Sequence, residues 1–150
     1  MPELTIRPLA ADDQLEWRRL WSLYLEFYNT SVPDSVYQIT FSRLLSGKLD
    51  EFRGLIATRG DRSVGITHYL FHRHCWRVEN VCYLQDLFVD ASDRGTGVGR
   101  ALIEGVYAAA DAAGCPAVYW TTQRSNVVGR RLYDRIGELT PFIKYIRPGA

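Results

Sequence analysis

Residues 87–103 read LFVDASDRGTGVGRALI, and this stretch decides the fold of the chain. It begins as an apolar strand, passes through a polar turn and continues as a helix. The turn carries three alternate glycines, which allow left-handed backbone angles and let a ligand approach the backbone closely. The first N–H groups of a helix lack intrahelical partners, and the helix dipole puts partial positive charge there. The stretch therefore predicts a phosphate or pyrophosphate site.

Two familiar phosphate-binding motifs do not fit this turn. A nucleoside-triphosphatase loop ends in Gly-Lys-Ser/Thr, and the stretch contains no lysine. A dinucleotide-binding turn has the pattern G-x-G-x-x-G, but counted from Gly95 its last glycine position is Arg100. The acid that this motif needs about 20 residues further on is also missing, because the next predicted strand ends in Thr121-Thr122. Arg94 and Arg100 flank the turn, and the absence of acids between them favours an anionic ligand.

The stretch 94–99, Arg-Gly-Thr-Gly-Val-Gly, is similar to the R/Q-x-x-G-x-G/A signature of the GNAT superfamily of N-acetyltransferases. The resemblance extends over residues 80–147. It includes the strand 83–89 before the turn, the strand 118–122 after the helix, and the helical stretch 131–137 that carries the family's tyrosine. Within the superfamily, the chain resembles the branch that contains the yeast histone and polyamine acetyltransferase.

The remaining chain alternates between strand and helix patterns. Helices are predicted from Asp12 or Asp13 to about Tyr28, from the loop before Val36 to near Gly47, from the glycine turn to Gly114, and from Ser125 or Asn126 to Ile136. Strands are predicted at Leu4–Pro8, Phe52–Thr58, Ser63–Cys75, Cys82–Val89, Ala117–Thr121 and Phe142–Arg147. This order predicts an α/β (mixed α+β) fold with helices on both faces of a mixed sheet. The resemblance implies that the sheet is mostly antiparallel and splayed at the strand carrying Leu87–Val89.

Composition narrows the class of protein. A chain of 150 residues predicts a single domain, 1–150. A net charge of +1 argues against a nucleic-acid partner. No apolar run approaches the ~20 residues of a membrane span, and the start lacks the layout of a secretory signal. Three cysteines outside any C-x-x-C pair are expected to be reduced thiols, so we expect a cytoplasmic protein.

The resemblance implies acetyl-CoA as cosubstrate, held without a metal. In the family, backbone N–H groups of the turn bind the pyrophosphate, and the strand before the turn pairs with the pantetheine arm. Asn126 matches a residue that meets the same arm, although a helix cap explains an asparagine there equally well. The expected cofactor-binding residues are Leu87, Phe88, Val89, Arg94, Gly95, Thr96, Gly97, Val98, Gly99, Arg100 and Asn126.

Two residues are expected to carry the proton transfers. Tyr133 matches the family's general acid, and a phenol can give its proton to the departing sulfur. Asp86 is the best local candidate for the base that accepts the proton of the amine, although a structural pairing with an arginine also explains it. Glu26 and Glu79 are weaker candidates for the base. The oxyanion donor is expected to be a backbone amide near Leu87 or Phe88.

Histidine and aromatic side chains suggest two further features. His68, His72 and His74 have even spacing, so they share one strand face. Ordinary polar alternation explains them better than a metal site does. Aromatic residues such as Tyr24 and Tyr28 are predicted to lie mostly in the core. The resemblance implies that the region between the first two helices, around Asn29 to Asp34, lines the acceptor pocket, to which these aromatic residues would also contribute.

The sequence thus predicts an N-acetyltransferase acting on a primary amine of a small molecule, polyamine or lysine side chain. A transferase that uses another acyl-CoA, a non-catalytic acyl-CoA sensor and a nucleotide-binding regulatory domain remain as alternatives. The tail supplies one terminal strand where the family usually has two. We therefore expect this strand to pair with a partner chain in a homodimer.

Overall fold

A computed structural model describes residues 1–149. The chain forms two compact units, Met1–Trp120 and a smaller one from Thr121 onward. The expectation that residues 1–150 form a single domain stays a prediction. The strands are β1 (Leu4–Pro8), β2 (Arg53–Arg59), β3 (Arg62–His72), β4 (Val81–Val89) and β5 (Val118–Tyr119), and the helices are α1 (Gln14–Phe27), α2 (Asp34–Leu45), α3 (Val98–Ala112) and α4 (Val127–Ile136).

The five strands form one sheet in the order β1-β2-β3-β4-β5. The pairs β1–β2, β2–β3 and β3–β4 are antiparallel, and the pair β4–β5 is parallel. This confirms the predicted mixed, mostly antiparallel sheet. Only Cys82 and Tyr83 of β4 pair with β5, so the ladder between these two strands ends after two residues.

The sheet of the first unit carries helices on both faces, as predicted. Consecutive side chains of a strand point to opposite faces, and Leu55 and Ile56 of β2 show which helix covers each face. Ile56 belongs to the core cluster formed with α1 and α2. On the other face, α3 approaches so closely that a Cβ at Gly105 would lie 3.0 Å from Leu55 and 3.1 Å from Ile6. The missing side chain of Gly105 therefore allows α3 to lie close to the sheet.

Three predicted strands differ from the structure. The strand predicted to reach Cys75 ends at His72, and β5 keeps only two of the five predicted residues. The predicted strand Phe142–Arg147 is wrong, because residues 138–149 form no helix or strand. A strand needs a neighbour for its backbone hydrogen bonds, and a segment rich in strand-forming residues does not supply one. Four apolar side chains of this segment are 68–88% exposed: Phe142, Ile143, Tyr145 and Ile146.

Candidate active site

The head of α3 has the backbone geometry that the glycine pattern predicts. Gly95 and Gly97 have φ of +76° and +91°, and Gly97 is the N-cap of the helix. The cap has no side chain, and the first turn holds no acidic residue. The first intrahelical bond at this end runs from the Ala101 N–H to the Gly97 carbonyl at 3.0 Å. The preceding amides of the helix therefore have no intrahelical acceptor, as an anion-binding site requires.

A network of polar groups around the buried carboxylate of Asp93 holds the turn on the β2–β3 hairpin. The carboxylate of Asp93, 2% exposed, accepts two hydrogen bonds from the Arg62 guanidinium at 2.6 and 2.9 Å. Arg59 donates to the Thr96 carbonyl at 3.2 Å, and the Thr96 hydroxyl donates to the Asp93 carbonyl at 2.5 Å. Hydrogen bonding by Arg62 lowers the pKa of Asp93, so this carboxylate is ionised at neutral pH. Hydrogen bonds within the protein therefore fix the conformation of the turn.

The strand before the turn presents part of its backbone away from its neighbour β3. The Asp90 N–H donates to the Val64 carbonyl at 2.8 Å, which places Asp90 in a hydrogen-bonded pair. Antiparallel pairs alternate, so the backbone groups of Val89 and Leu87 point away from β3. The Val89 carbonyl accepts a hydrogen bond from Arg94 Nε at 3.1 Å. Phe88 lies in the core with its side chain buried.

A β-bulge changes the register of β4 just before Asp86. His68 pairs with Asp86 and Tyr69 pairs with Leu84, so Gln85 has no residue opposite it. A bulge bends its strand and redirects the neighbouring side chains. The side chain of Asp86 therefore lies beside His68 of β3 and beside α1. The sequence predicted a strand over Cys82–Val89 without this bulge.

Asp86 has two side-chain hydrogen-bond partners, and a phenol lies nearby. His68 Nδ1 lies 2.8 Å and Trp21 Nε1 lies 3.3 Å from its Oδ2 atom, and the Tyr24 phenol lies close to the same carboxylate. Burial raises the pKa of Asp86, but hydrogen bonding and electrostatic interaction with His68, with smaller contributions from Tyr24 and Trp21, lower it by more, so the net pKa lies below the usual value of an aspartate. Burial, together with the charge of Asp86, raises the pKa of Tyr24. These partners replace the arginine that a structural role for Asp86 had suggested.

The three sequence-predicted histidines have different surroundings. His68 is buried against Trp17, whose Nε1 donates to its Nε2 at 2.8 Å. His72 Nε2 lies 2.7 Å from the Tyr119 hydroxyl, and His74 lies beyond the end of β3. Among residues 1–149, no group of three or more histidine, cysteine or acidic side chains could hold a metal ion. Sequence reasoning missed the contacts of His68 and Trp17, because they depend on the pairing of β3 with β4 and on the packing of α1 against β3.

The weaker candidates for the base lie at the surface. Glu26 is exposed, and Glu79 is exposed and paired with Arg77 at 3.3 Å.

All three cysteines are free thiols, with Cys75 exposed. Burial raises the pKa of Cys82 to about 12, so this thiol is inert. None of the helices in the part of the chain described here combines the length and the apolar composition needed to cross a membrane.

In the second unit, Asn126 is the N-cap of α4. Its Oδ1 accepts from the Gly129 N–H at 3.2 Å, and its Nδ2 donates to Thr122 Oγ1 at 3.0 Å. The sequence predicted two roles for Asn126, a helix cap and cofactor binding, and the structure shows the helix cap. Tyr133 lies seven residues further on, which is about two helical turns and places it near the same helix face. The cofactor role of Asn126 and the acid role of Tyr133 stay predictions.

Comparison with solved structures identifies the fold. An aminoglycoside N-acetyltransferase, AAC(6')-Iy, solved in complex with a bisubstrate analogue of CoA, superposes with a TM-score of 0.85 over 99% of both chains at 20% identity. The ribosomal-protein-alanine N-acetyltransferase of Brucella melitensis biovar Abortus 2308 superposes with a TM-score of 0.80, over 97% of this chain and 98% of that one, at 21% identity. At these identities the likeness concerns the fold.

Comparison of sequences identifies the family. The D-amino-acid N-acetyltransferase HPA3 of Saccharomyces cerevisiae (strain ATCC 204508 / S288c) is 36% identical over 147 residues, which are 97% of this chain and 91% of that protein. The model of the acetyltransferase (GNAT) family matches residues 17–137. Both matches confirm the resemblance drawn from the glycine turn. The chain therefore belongs to the acetyltransferase (GNAT) family and is an N-acetyltransferase.

Proposed function

We propose that this enzyme transfers the acetyl group of acetyl-CoA directly to the primary amine of a small molecule. The observation that carries the proposal is the head of α3, where a glycine N-cap leaves the first amides of a long helix without a side-chain cap. Polyamines and lysine side chains are further candidate acceptors. The yeast relative, whose name specifies D-amino acids, favours a small amine such as an amino acid over a lysine in a protein.

The donor is proposed to bind along β4 and the glycine turn. The amides from Gly95 to Arg100 would hold the pyrophosphate, and the outward backbone of Leu87 would pair with the amide-bearing pantetheine arm. Two features support this arrangement. The backbone N–H and C=O groups of Leu87 and Val89 point away from β3, and β5 pairs only with the opposite end of β4. The proposed cofactor roles of Phe88, Arg94 and Asn126 come from the family resemblance.

Asp86 is proposed to accept the proton of the attacking amine, directly or through a water molecule. Its lowered pKa keeps the carboxylate ionised across the neutral range. An ionised carboxylate attracts a cationic amine and can take up its proton as the N–C bond forms. Tyr24 and Tyr28 lie near this carboxylate and would supply aromatic walls for the same cation.

Tyr133 is proposed to complete the reaction as the general acid. The tetrahedral intermediate collapses by breaking the C–S bond, and the phenol gives its proton to the leaving thiolate. The products are the N-acetylated amine and CoA as a free thiol. Replacing Tyr133 by Phe removes the proton and keeps the ring. We expect kcat to fall about 100-fold with little change in the KM for acetyl-CoA. An unchanged kcat would remove Tyr133 from the mechanism.

The test of the function is the release of CoA thiol from acetyl-CoA in the presence of a panel of amines. The panel contains D- and L-amino acids, polyamines, an aminoglycoside and a lysine peptide. Turnover with a small amine supports the proposal, whereas binding of acetyl-CoA without turnover of any amine identifies a sensor. Turnover with the lysine peptide alone would contradict a small-molecule acceptor. Propionyl-CoA in the same assay tests the alternative donor.

We also propose a cytoplasmic homodimer. The exposed apolar segment 142–146 would bury its side chains against a second copy of the chain. The three free thiols support a reducing compartment. Light scattering is expected to give the mass of two chains, and substituting Tyr145 and Ile146 by Ser is expected to halve it. A monomeric mass for the unmodified chain would overturn the dimer.

A further inference from the structure

Three side chains form a buried hydrogen-bonded row from α1 through β3 to β4. Trp17 Nε1 donates to His68 Nε2 at 2.8 Å, and His68 Nδ1 lies 2.8 Å from Asp86 Oδ2. Trp17 is 1% exposed and His68 is 3% exposed, so water has little access to the inner part of the row. The row ends at the carboxylate to which the proposed function assigns the proton of the amine.

The tryptophan fixes the protonation state of the histidine. An indole nitrogen can only donate, so His68 Nε2 accepts and carries no proton. The imidazole proton then lies on Nδ1, from which it is donated to the Asp86 carboxylate. His68 is therefore the neutral Nδ1–H tautomer. In that state neither ring nitrogen can take up a proton from the acceptor amine, so His68 is not itself a base.

The other groups that face this carboxylate come from α1. Trp21 donates to the same Oδ2 atom at 3.3 Å, a longer contact than that of His68. The phenol of Tyr24 lies close to the carboxylate, and Tyr28 lies within its electrostatic reach. On β4 itself, Tyr83 lies near Tyr24. Burial raises the pKa of Tyr24 and of Tyr28, so both phenols are neutral near pH 7, and among the groups that lower the pKa of Asp86 the hydrogen bond with His68 has the largest effect.

We propose that Trp17 and His68 are positioning residues for acetyl transfer: Trp17 holds His68 as the Nδ1–H tautomer, and that proton keeps the Asp86 carboxylate ionised and in one orientation. The proposal rests on the proposed function, because it assumes that Asp86 meets the acceptor amine. It adds two residues that the glycine turn and the family signature do not point to. It also explains why a tryptophan, a donor without acceptor capacity, lies against His68.

The first test compares two substitutions of His68. His68→Asn retains a side-chain N–H that can donate in place of Nδ1, whereas His68→Leu removes the donor. Loss of a hydrogen bond to a buried carboxylate raises its pKa, so in His68→Leu we expect the pKa of Asp86 to rise by about one to two units. Carbon NMR of the side-chain carboxyl measures this pKa directly. The acidic limb of kcat/KM is expected to move to higher pH by the same amount, and His68→Asn is expected to restore most of the shift.

A merely structural role would give a different pattern. Both variants would then lose stability and activity while the midpoint of the acidic limb stayed in place, and the proposal would be overturned. If the acidic limb of kcat/KM matches the pKa of Asp86 in the unmodified enzyme but does not match it in His68→Leu, only the positioning role of His68 is contradicted. If the limb does not follow that pKa even in the unmodified enzyme, the role of Asp86 fails and the positioning proposal fails with it.

The second test reads the tautomer without using activity. Nitrogen NMR of the unmodified protein is expected to show the imidazole proton of His68 on Nδ1. Trp17→Phe removes the hydrogen bond to His68 Nε2, and we expect the Nε2–H form or the imidazolium of His68 to appear. Phe41→Leu is the matched control, because Phe41 packs against the Trp17 ring at 5.0 Å and its substitution leaves the hydrogen-bonded row intact. An Nε2–H signal in the unmodified protein, or an unchanged spectrum in Trp17→Phe, would overturn the proposal.

Discussion

Replacing Gly97 by Ala separates the anion-binding role of the glycine turn from its effect on folding. Gly97 has φ of +91°, and nothing lies within 4 Å of the position that a Cβ would occupy. The substitution therefore creates backbone strain without a clash. Left-handed angles cost an L-residue about 1–2 kcal/mol. For a chain of this length, that predicts a fall in Tm of about 2–8 °C.

The same substitution is expected to weaken the binding of CoA. The methyl group would stand where the pyrophosphate approaches the amides, and losing one charge-assisted hydrogen bond costs about 1.5–3 kcal/mol. The dissociation constant should therefore rise roughly ten- to a hundredfold. Calorimetric titration with CoA measures this change, and urea denaturation measures the stability of the same preparation.

Gly114→Ala is the matched control. Gly114 has φ of +71°, and a Cβ there also has nothing within 4 Å, but it lies past the other end of α3. We expect Gly114→Ala to lose about as much stability as Gly97→Ala and to bind CoA as the unmodified protein does. If both variants bound CoA with the affinity of the unmodified protein, the turn would not be the pyrophosphate site.

Three further predictions concern other parts of the chain. Gly129→Ala would place a Cβ 2.5 Å from the Asn126 side-chain nitrogen, so we expect the helix cap to be displaced at a cost of about 1 kcal/mol, seen as a lower Tm. Hydrogen bonding to Arg7 lowers the pKa of Asp13 below its unfolded value of about 3.9, so this ion pair stabilises the fold fully above that pH and is lost as the pH falls through the folded value. Acid titration of Asp13→Asn should therefore show a smaller loss of unfolding free energy below pH 4 than the unmodified protein, and equal losses would contradict the assignment. Cys75 is the one exposed cysteine, so a thiol reagent should modify one thiol rapidly in the native protein and all three after denaturation.

The glycine turn and the helix behind it could be predicted from the sequence because both depend on local rules. Alternate glycines set the backbone angles of the turn, and apolar spacing sets the buried face of α3. The close approach of α3 to the sheet depends on Gly105, whose missing side chain is visible in the sequence. These features need no knowledge of which strands pair.

The missed features depend on pairing between distant parts of the chain. The bulge at Gln85 exists only relative to β3, because it appears as a change of register opposite Tyr69. The row from Trp17 to Asp86 joins residues 69 positions apart, and each of them fits an ordinary core or strand pattern. The failed strand at Phe142–Arg147 shows the converse: residues typical of strands were present, but no neighbouring strand accompanied them.

The central claim is that backbone amides at the head of α3 hold the diphosphate of CoA. Titration of the nitrogen-labelled protein with CoA, followed by amide NMR, tests it most directly. We expect the largest shifts at the N–H groups of Gly95, Gly97 and Gly99. S-acetylpantetheine, which lacks the diphosphate, is expected to leave these three signals in place. Saturation by CoA with no movement of these signals, or with the largest shifts in a remote part of the chain, would contradict the account.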